Sequence, residues 1–289
     1  MLTRIGVALL WLLHFLPLAV LAAIGRGLGV LLYALGSRRR KIGLVNLRLC
    51  FPHWSEKERR RLLRRHAQAL ARSLLERGIL WWGSRERIER LVQMEGREHL
   101  EALRGRPIIL LVPHFVGLDM GGTRLSMIVS ACSMYSRQKH PLIDRLLMHG
   151  RSRFNPQRLV SRQEGVRPIV RALREGLLFY YLPDQDFGPR ESIFVPFFGV
   201  PAATITGVSR LARLTGATVV PGVTRQLPDG NGYLLTIYPP WRDFPTGDDA
   251  RDARRVNEFI EQRVLEMPEQ YWWLHRRFKT RPPGEPAVY

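Results

Sequence analysis

The sequence is poor in the residues that build metal centres and disulfide frameworks. Its 289 residues contain two cysteines, Cys50 and Cys132, with no CxxC spacing and no histidine cluster beside them. This argues against a zinc site and a disulfide scaffold, and it fits a reducing compartment. Internal repeats and low-complexity tracts are also missing. We therefore predict that the protein uses no metal and no cofactor.

Acidic residues are scarce relative to basic ones. The chain has 25 Asp and Glu against 45 Lys and Arg, giving a formal net charge of +20 and a pI near 11.2. A charge of this size bears on partners rather than on fold, and the candidates are nucleic acid, anionic lipid and acidic proteins. No helix-turn-helix, zinc-finger or RNP-like motif is present. We therefore predict no nucleic-acid partner.

One stretch near the start lacks charge altogether. Residues 5–24 carry no charged side chain, and about 20 such residues match a hydrocarbon core of roughly 30 Å. The basic run Ser37-Arg-Arg-Arg-Lys41 follows, which places the body of the protein on the cytoplasmic side. We predict that residues 1–36 form a membrane anchor. A spanning helix is favoured, but Pro17 and His14 leave open an interfacial helix or a hairpin of two short ones.

The rest of the chain, residues 37–289, reads as one α/β domain. Residues 37–90 form a basic helical lead-in, in which Ser55 and Glu58 have the spacing of a capping box. From about residue 92, strand and helix patterns alternate, which predicts a mixed, mainly parallel sheet flanked by helices. The predicted strands are 108–112, 128–135, 177–182, 217–223 and 233–238, with a hairpin turn at 229–232.

The arginines at 59–61, 64 and 65 form a dense group within the lead-in. At roughly 1 kcal/mol per basic residue near an anionic surface, they could hold the domain on the inner leaflet. They could equally dock an acidic protein and steer its arrival.

A histidine and an aspartate stand at the end of the first of these strands. The apolar run from Pro107 ends at His114, and Asp119 follows five positions later, just before a helix-like segment. In such a loop Asp119 can accept a hydrogen bond from one ring nitrogen, leaving the other nitrogen free to take a proton. An isolated pair of this kind is more often a buried histidine and a helix cap.

The pattern around this pair resembles a known family. The segment Pro113-His-Phe-Val-Gly-Leu-Asp119 resembles the HX4D/E block of glycerolipid and lipid A acyltransferases. Further segments resemble the other blocks of the bacterial lipid A biosynthesis lauroyl/myristoyl (late) acyltransferases, in order and over nearly the whole chain: 46–52, 135–144, 181–190, 195–204 and 268–282. Many members have Glu at the position of Asp119, and we interpret Asp there as a conservative change.

The resemblance implies an acyl-carrier-protein-dependent O-acyltransferase at the inner (cytoplasmic) membrane, with its catalytic domain on the cytoplasmic side. His114, paired with Asp119, would remove the proton of a hydroxyl on a hydroxyacyl chain of a lipid A precursor. That oxygen would attack the acyl thioester directly, without a metal. Two alternatives stay open: another acceptor, such as a lysophospholipid or a different glycolipid, and a thioesterase that uses the same two residues on water.

Five further residues are predicted to bind substrate. Arg137 matches a family arginine, and we expect it to donate to the oxyanion or to contact phosphate or phosphopantetheine, although a surface arginine is the alternative. Asp184, Gln185 and Asp186 follow a strand-like run and could orient a sugar hydroxyl. Arg190 could bind a sugar phosphate through its guanidinium fork or pair with Asp186.

Overall fold

A computed structural model describes all residues, 1–289, and contains nine strands. Seven of them form one sheet in the order β1-β9-β8-β2-β5-β3-β4, in which every neighbouring pair is parallel except β8 and β9. The prediction of a mixed, mainly parallel sheet is confirmed. The strands are β1 (Val92–Glu95), β2 (Ile108–Leu111), β3 (Ala131–Tyr135), β4 (Gln157–Ser161), β5 (Leu178–Tyr181), β6 (Ser192–Phe197), β7 (Val200–Ile205), β8 (Thr218–Gln226) and β9 (Tyr233–Ile237).

Twelve α-helices surround the sheet. Their bounds are α1 (Leu2–Leu13), α2 (Leu18–Leu35), α3 (Ser37–Cys50), α4 (Glu56–Leu75), α5 (Arg77–Trp82), α6 (Arg85–Leu91), α7 (Arg97–Glu101), α8 (Leu118–Leu125), α9 (Pro141–Ser152), α10 (Arg167–Arg174), α11 (Gly207–Thr215) and α12 (Asp249–Glu266). The predicted capping box begins α4: the Ser55 hydroxyl accepts from the Glu58 amide at 3.2 Å, and the Glu58 carboxylate accepts from the Ser55 amide at 2.6 Å.

The core lies on both faces of the sheet. Strand β2 is buried along its whole length, as expected for a central strand covered on both sides. Its side chains alternate between the faces. Ile109 and Leu111 pack in a cluster with α10, α11 and α12. Ile108 and Leu110 pack in a second cluster with α5, α6 and α8. The sheet therefore holds the loops at its carboxyl edge between two packed layers.

The apolar stretch of residues 5–24 is divided between two helices, α1 and α2, with a break at residues 14–17. This agrees with the alternative of two helices rather than with the favoured single one. Pro17 has no amide hydrogen to continue the hydrogen bonds of α1, and it is the N-cap residue that precedes α2. The guanidinium of Arg87 donates to the freed carbonyls of His14 and Leu16, the latter at 2.6 Å. Only α2 is long and apolar enough to cross a membrane.

Helix α2 packs along α4 through small residues. A Cβ on Gly29 would lie 2.3 Å from the Cα of Gln68, and one on Gly25 would lie 2.7 Å from the Cα of Arg72. Glycine at these two positions therefore allows the two helix backbones to approach closely. As a result, one face of α2 is covered by protein rather than left free along its length.

Other boundaries also differ from the prediction. Strands β6 and β7, which pair in a separate antiparallel hairpin, and strands β1 and β4 were not predicted. Strands β1 and β4 are the two edges of the sheet and are only partly buried, so they lack the continuous apolar run of the central strands.

Candidate active site

His114 and Asp184 meet at the carboxyl edge of the sheet. His114 follows β2 and Asp184 follows β5, each three residues beyond the last residue of its strand. Because β2 and β5 are parallel neighbours, their carboxyl ends deliver both loops to the same place. Ligands of α/β sheets bind in the crevice at this edge.

The buried Asp184 carboxylate holds His114 through two hydrogen bonds. One oxygen accepts from the ring Nδ1 at 2.6 Å, and the other accepts from the His114 backbone amide at 2.9 Å. Burial works against ionisation of Asp184, but the adjacent His114 and these hydrogen bonds outweigh it and hold the pKa of the carboxyl below its ordinary value. With Nδ1–H donated to Asp184, the acceptor lone pair of a neutral ring is on Nε2. The Gln185 side-chain amide lies 3.1 Å from that nitrogen.

The expected hydrogen bond from His114 to Asp119 is not made. Asp119 lies in the first turn of α8, where its carboxylate pairs with Arg77 at 3.1 Å and with Arg151 at 3.6 Å. Burial opposes ionisation of Asp119, but the two arginines and the nearby His114 prevail and lower its pKa. Asp184 thus takes the ring contact that was predicted for Asp119, and Asp119 lies at the same cavity as His114.

Two of the carboxylates predicted to bind substrate are occupied within the protein. Both oxygens of Asp184 are used by His114. Asp186 is buried, and its carboxylate accepts from the amide and hydroxyl of Thr280 at 2.7 and 2.8 Å and from the amide of Gly188 at 2.9 Å. Both carboxylates thus have partners within the protein, and their predicted contacts with a sugar hydroxyl stay predictions. Asp186 thus anchors Thr280, near the C-terminus.

The two predicted arginines lie apart from His114. The side chain of Arg137 is 82% exposed, and its nearest carboxylate is that of Asp144, at 4.0 Å. Arg190 is exposed and makes no ion pair with Asp186. Neither arginine lines the cavity beside His114. Of the five predicted substrate-binding residues, only Gln185 combines contact with His114 and a place in the cavity wall.

A large cavity extends from His114 over the edge of the sheet. Its volume is about 1020 Å³, and more than half of its wall is hydrophobic, which is at the upper end of the range for small-molecule sites. Apolar wall residues from several elements include Leu80, Trp81, Leu125, Leu147 and Met148. His114, Gln185 and Asp119 also line it. The cavity can therefore hold a long apolar chain with one end at the histidine.

Sequence reasoning missed Arg77 and Arg151 as members of the site. Both line the cavity and pair with Asp119. Arg77 begins α5 and Arg151 lies in the last turn of α9, so the two are 74 positions apart in the chain. Nothing in their local sequence distinguishes them from the many other arginines, and only the packing of α5, α8 and α9 brings them together.

The fold thus places a histidine–aspartate pair beside a large, mainly apolar cavity at the carboxyl edge of the sheet. The model of the bacterial lipid A biosynthesis acyltransferase family matches residues 1–280. The chain belongs to this family and is an acyltransferase.

Curated relatives are similar to this chain over nearly its whole length. The lipid A biosynthesis lauroyltransferase of Escherichia coli K12 is 40% identical, with all of this chain and 94% of the relative covered. The palmitoleoyltransferase of the same strain is 34% identical over the same shares, and the myristoyltransferase is 36% identical over 93% of this chain and 83% of the relative. Among solved structures, the 1-acyl-sn-glycerophosphate acyltransferase of Thermotoga maritima aligns over 86% of this chain and 96% of its own, with 16% identity and a TM-score of 0.38.

Proposed function

We propose that this acyltransferase moves a fatty acyl group from acyl carrier protein to the hydroxyl of a hydroxyacyl chain on a lipid A precursor. The observation that carries the proposal is the His114–Asp184 pair beside a cavity of about 1020 Å³ with mainly apolar walls. The names of the full-length relatives support an acceptor of the lipid A type. The reaction takes place at the cytoplasmic face of the inner membrane.

His114 acts as the general base at Nε2. This nitrogen takes the hydroxyl proton as the oxygen attacks the thioester carbonyl, and the imidazolium then returns the proton to the departing thiolate. One ester bond forms and one thioester bond breaks, and no metal takes part. Asp184 fixes the tautomer and stabilises the imidazolium through its 2.6 Å hydrogen bond. A positioned base of this kind contributes about 10²- to 10⁴-fold in rate.

Asp119 acts through charge rather than through a hydrogen bond to the ring. Its carboxylate stays ionised between Arg77 and Arg151, and a negative charge near His114 favours the imidazolium that forms during transfer. The two arginines leave part of their surface open to the cavity, 28% and 40% of the respective side chains. They can therefore bind phosphate groups of the acceptor, the role that we first expected of Arg190.

The N-terminal helices attach the protein to the membrane. Most large apolar side chains of α1 face outward, among them Leu2, Leu9 and Leu12. Helix α2 packs closely on α4, so lipid cannot surround α2 on all sides. We place α1 and α2 half-submerged in the cytoplasmic leaflet, with the cavity close to the acceptor lipid.

Transfer from labelled dodecanoyl acyl carrier protein in detergent micelles tests the proposal. A tetra-acylated lipid A precursor, a lysophospholipid or no acceptor would be offered to the wild type, to His114→Ala and to His53→Ala, an exposed histidine that serves as the control. We expect label on the lipid A precursor, a loss of at least ~10² in His114→Ala and none in His53→Ala. Label on the lysophospholipid would mean that the acceptor is a lysophospholipid rather than a lipid A precursor. Release of free fatty acid without any acceptor would indicate a thioesterase.

A further inference from the structure

Part of the cavity wall is formed by exposed apolar residues from elements other than those that pack on the N-terminal helices. Val166, Phe187 and Leu214 line it there while remaining 54%, 39% and 56% exposed. They come from the turn before α10, the loop after β5 and the end of α11. Exposed apolar side chains gathered in one part of a cavity wall are typical of an interaction site. We call this group the apolar lip.

Five arginines belong to the elements that carry the apolar lip, namely the turn before α10, α10 itself and α11. Arg162 stacks on the ring of Phe187 at 4.1 Å and, like Arg210 of α11, also lines the cavity. Arg167, Arg171 and Arg174 lie on the exposed face of α10, opposite its buried apolar residues. The exposed side chains of these arginines make no ion pair with the chain. We call Arg167, Arg171 and Arg174 the α10 arginines.

The acidic residues nearby offset only part of the charge of the five arginines: Glu164 and Glu191 carry one negative charge each, and Glu175 is paired with another arginine. The Glu164 carboxylate is used in a helix cap, where it accepts from the Ser161 amide at 2.6 Å. Glu175 pairs with Arg158 at 2.6 Å. Glu191 lines the cavity as a single negative charge. The surface around the lip therefore keeps a positive charge that is available to a partner.

This surface does not belong to the part of the protein that we assign to the membrane. Helix α1 packs mainly on α5, and α2 packs on α4 and on the turn at 228–230. Helix α10 packs on α11 and on strands β3, β4 and β5. The cavity wall also includes Leu70 and Leu80, from the helices α4 and α5 that carry α1 and α2. The cavity thus has one side next to the apolar N-terminal helices and another side at the arginine-rimmed lip.

We infer that the apolar lip and the α10 arginines are the docking surface for the acyl donor, a small acidic carrier protein. The inference rests on the proposed function, because it takes the donor to be such a protein. Its acidic face pairs with the α10 arginines, and the thioester arm passes Phe187 into the cavity toward His114. Charge complementarity of this kind speeds encounter and fixes orientation. The acceptor lipid then enters from the side of α4 and α5.

The test compares two triple charge reversals in the full-length protein. Arg167→Glu/Arg171→Glu/Arg174→Glu alters the docking surface, and Arg60→Glu/Arg61→Glu/Arg64→Glu alters three exposed, unpaired arginines on α4 as the matched control. Each is assayed with dodecanoyl acyl carrier protein and with dodecanoyl phosphopantetheine, which has the same thioester arm without the protein. For the α10 variant we expect KM for the protein donor to rise at least ~10-fold and to lose its salt dependence, with kcat and the small donor unaffected. The α4 control keeps the wild-type KM for the protein donor.

Three results would contradict the assignment of this surface to the carrier protein. They are an unchanged KM for the protein donor in the α10 variant, an equal change in KM for both donors, and a larger change in KM in the α4 control than in the α10 variant. Lost binding of the α10 variant to vesicles containing phosphatidylglycerol would assign the surface to the membrane instead. If the Glu variant does not fold, the corresponding Arg→Gln triple replaces it. If the wild type accepts no acyl group from carrier protein, the proposed function itself is wrong. If the wild type is active and the α10 variant is unaffected, only the assignment of the docking surface is wrong.

Discussion

His114 is held more firmly than a single hydrogen bond would allow. One carboxylate binds both its ring and its backbone amide, and the Asp184 side chain is only 2% exposed. A buried carboxylate bound in this way cannot rotate away without leaving charged oxygens unsatisfied, which costs several kcal/mol. The ring orientation is therefore set before any substrate arrives.

Asp184→Asn should keep the fold and lower kcat by at least ~10², because an amide cannot accept from both donors of His114 and no longer stabilises the imidazolium. Asp119→Asn should leave the ring tautomer intact, since Asp119 does not touch Nδ1. The ¹⁵N chemical shifts of the His114 ring, measured together with turnover, distinguish the two variants. If the tautomer of His114 changes in Asp119→Asn but not in Asp184→Asn, then Asp119 rather than Asp184 binds the ring.

At the scale of elements, the contact between α2 and α4 depends on where glycine stands in α2. Gly29 meets the backbone of α4, whereas Gly27 has nothing within 4 Å of the position of a Cβ. The two glycines belong to the same helix, so their substitution separates helix propensity from packing.

Gly29→Ala should destabilise the protein and loosen α2, because its Cβ would lie 2.3 Å from the Cα of Gln68. Gly27→Ala should be neutral or stabilising by up to about 1 kcal/mol, since alanine favours the helix. Thermal unfolding in detergent and protease cleavage between α2 and α3 would measure both effects. Equal behaviour of the two variants would contradict the close packing.

Helix α4 also carries a pH-sensitive contact. His66 is fully buried, its Nδ1 donates to the carbonyl of Glu269 at 2.9 Å, and burial lowers the pKa of its ring to about 4. The unfolded chain binds a proton near pH 6.5 while the folded one does not until about pH 4. Between these values the unfolded state holds more protons, so stability falls as the pH falls.

We expect this one histidine to remove about 2 kcal/mol of stability between pH 7.5 and pH 5.0. His66→Gln, which can keep the donor to Glu269, should lose correspondingly less over the same range. Urea unfolding of both proteins at the two pH values measures the difference. Parallel losses in the two proteins would mean that His66 is already protonated in the folded state.

At the scale of the whole molecule, α1 and α2 have an exposed apolar side, on which the proposed membrane attachment rests. Leu9 and Leu12 are 52% and 59% exposed, whereas most large apolar residues elsewhere are covered. Insertion of each leucine side chain into lipid contributes about 1.5–3 kcal/mol. A few such residues suffice to hold the cavity at the membrane surface.

Leu9→Asp/Leu12→Asp should therefore lower binding to lipid vesicles at least ~10-fold while leaving transfer in detergent micelles nearly unchanged. Leu265→Asp, a change at a 63% exposed leucine of α12, is the control and should bind vesicles as the wild type does. Vesicle flotation gives the bound fraction. If the double variant floats with vesicles as the wild type does, α1 does not contact the membrane.

Local patterns in the sequence were sufficient to predict the features that depend only on neighbouring residues. The alternation of strands and helices, the Ser55–Glu58 cap and the position of His114 after a buried strand all follow from periodicity and capping chemistry, and the ordered motifs indicated the family. Only the tertiary structure decided which carboxylate meets the histidine, because β2 and β5 become neighbours through strand order rather than through sequence distance. For the same reason Arg77 and Arg151 join Asp119 only once α5, α8 and α9 have packed, and α2 finds its place only against α4.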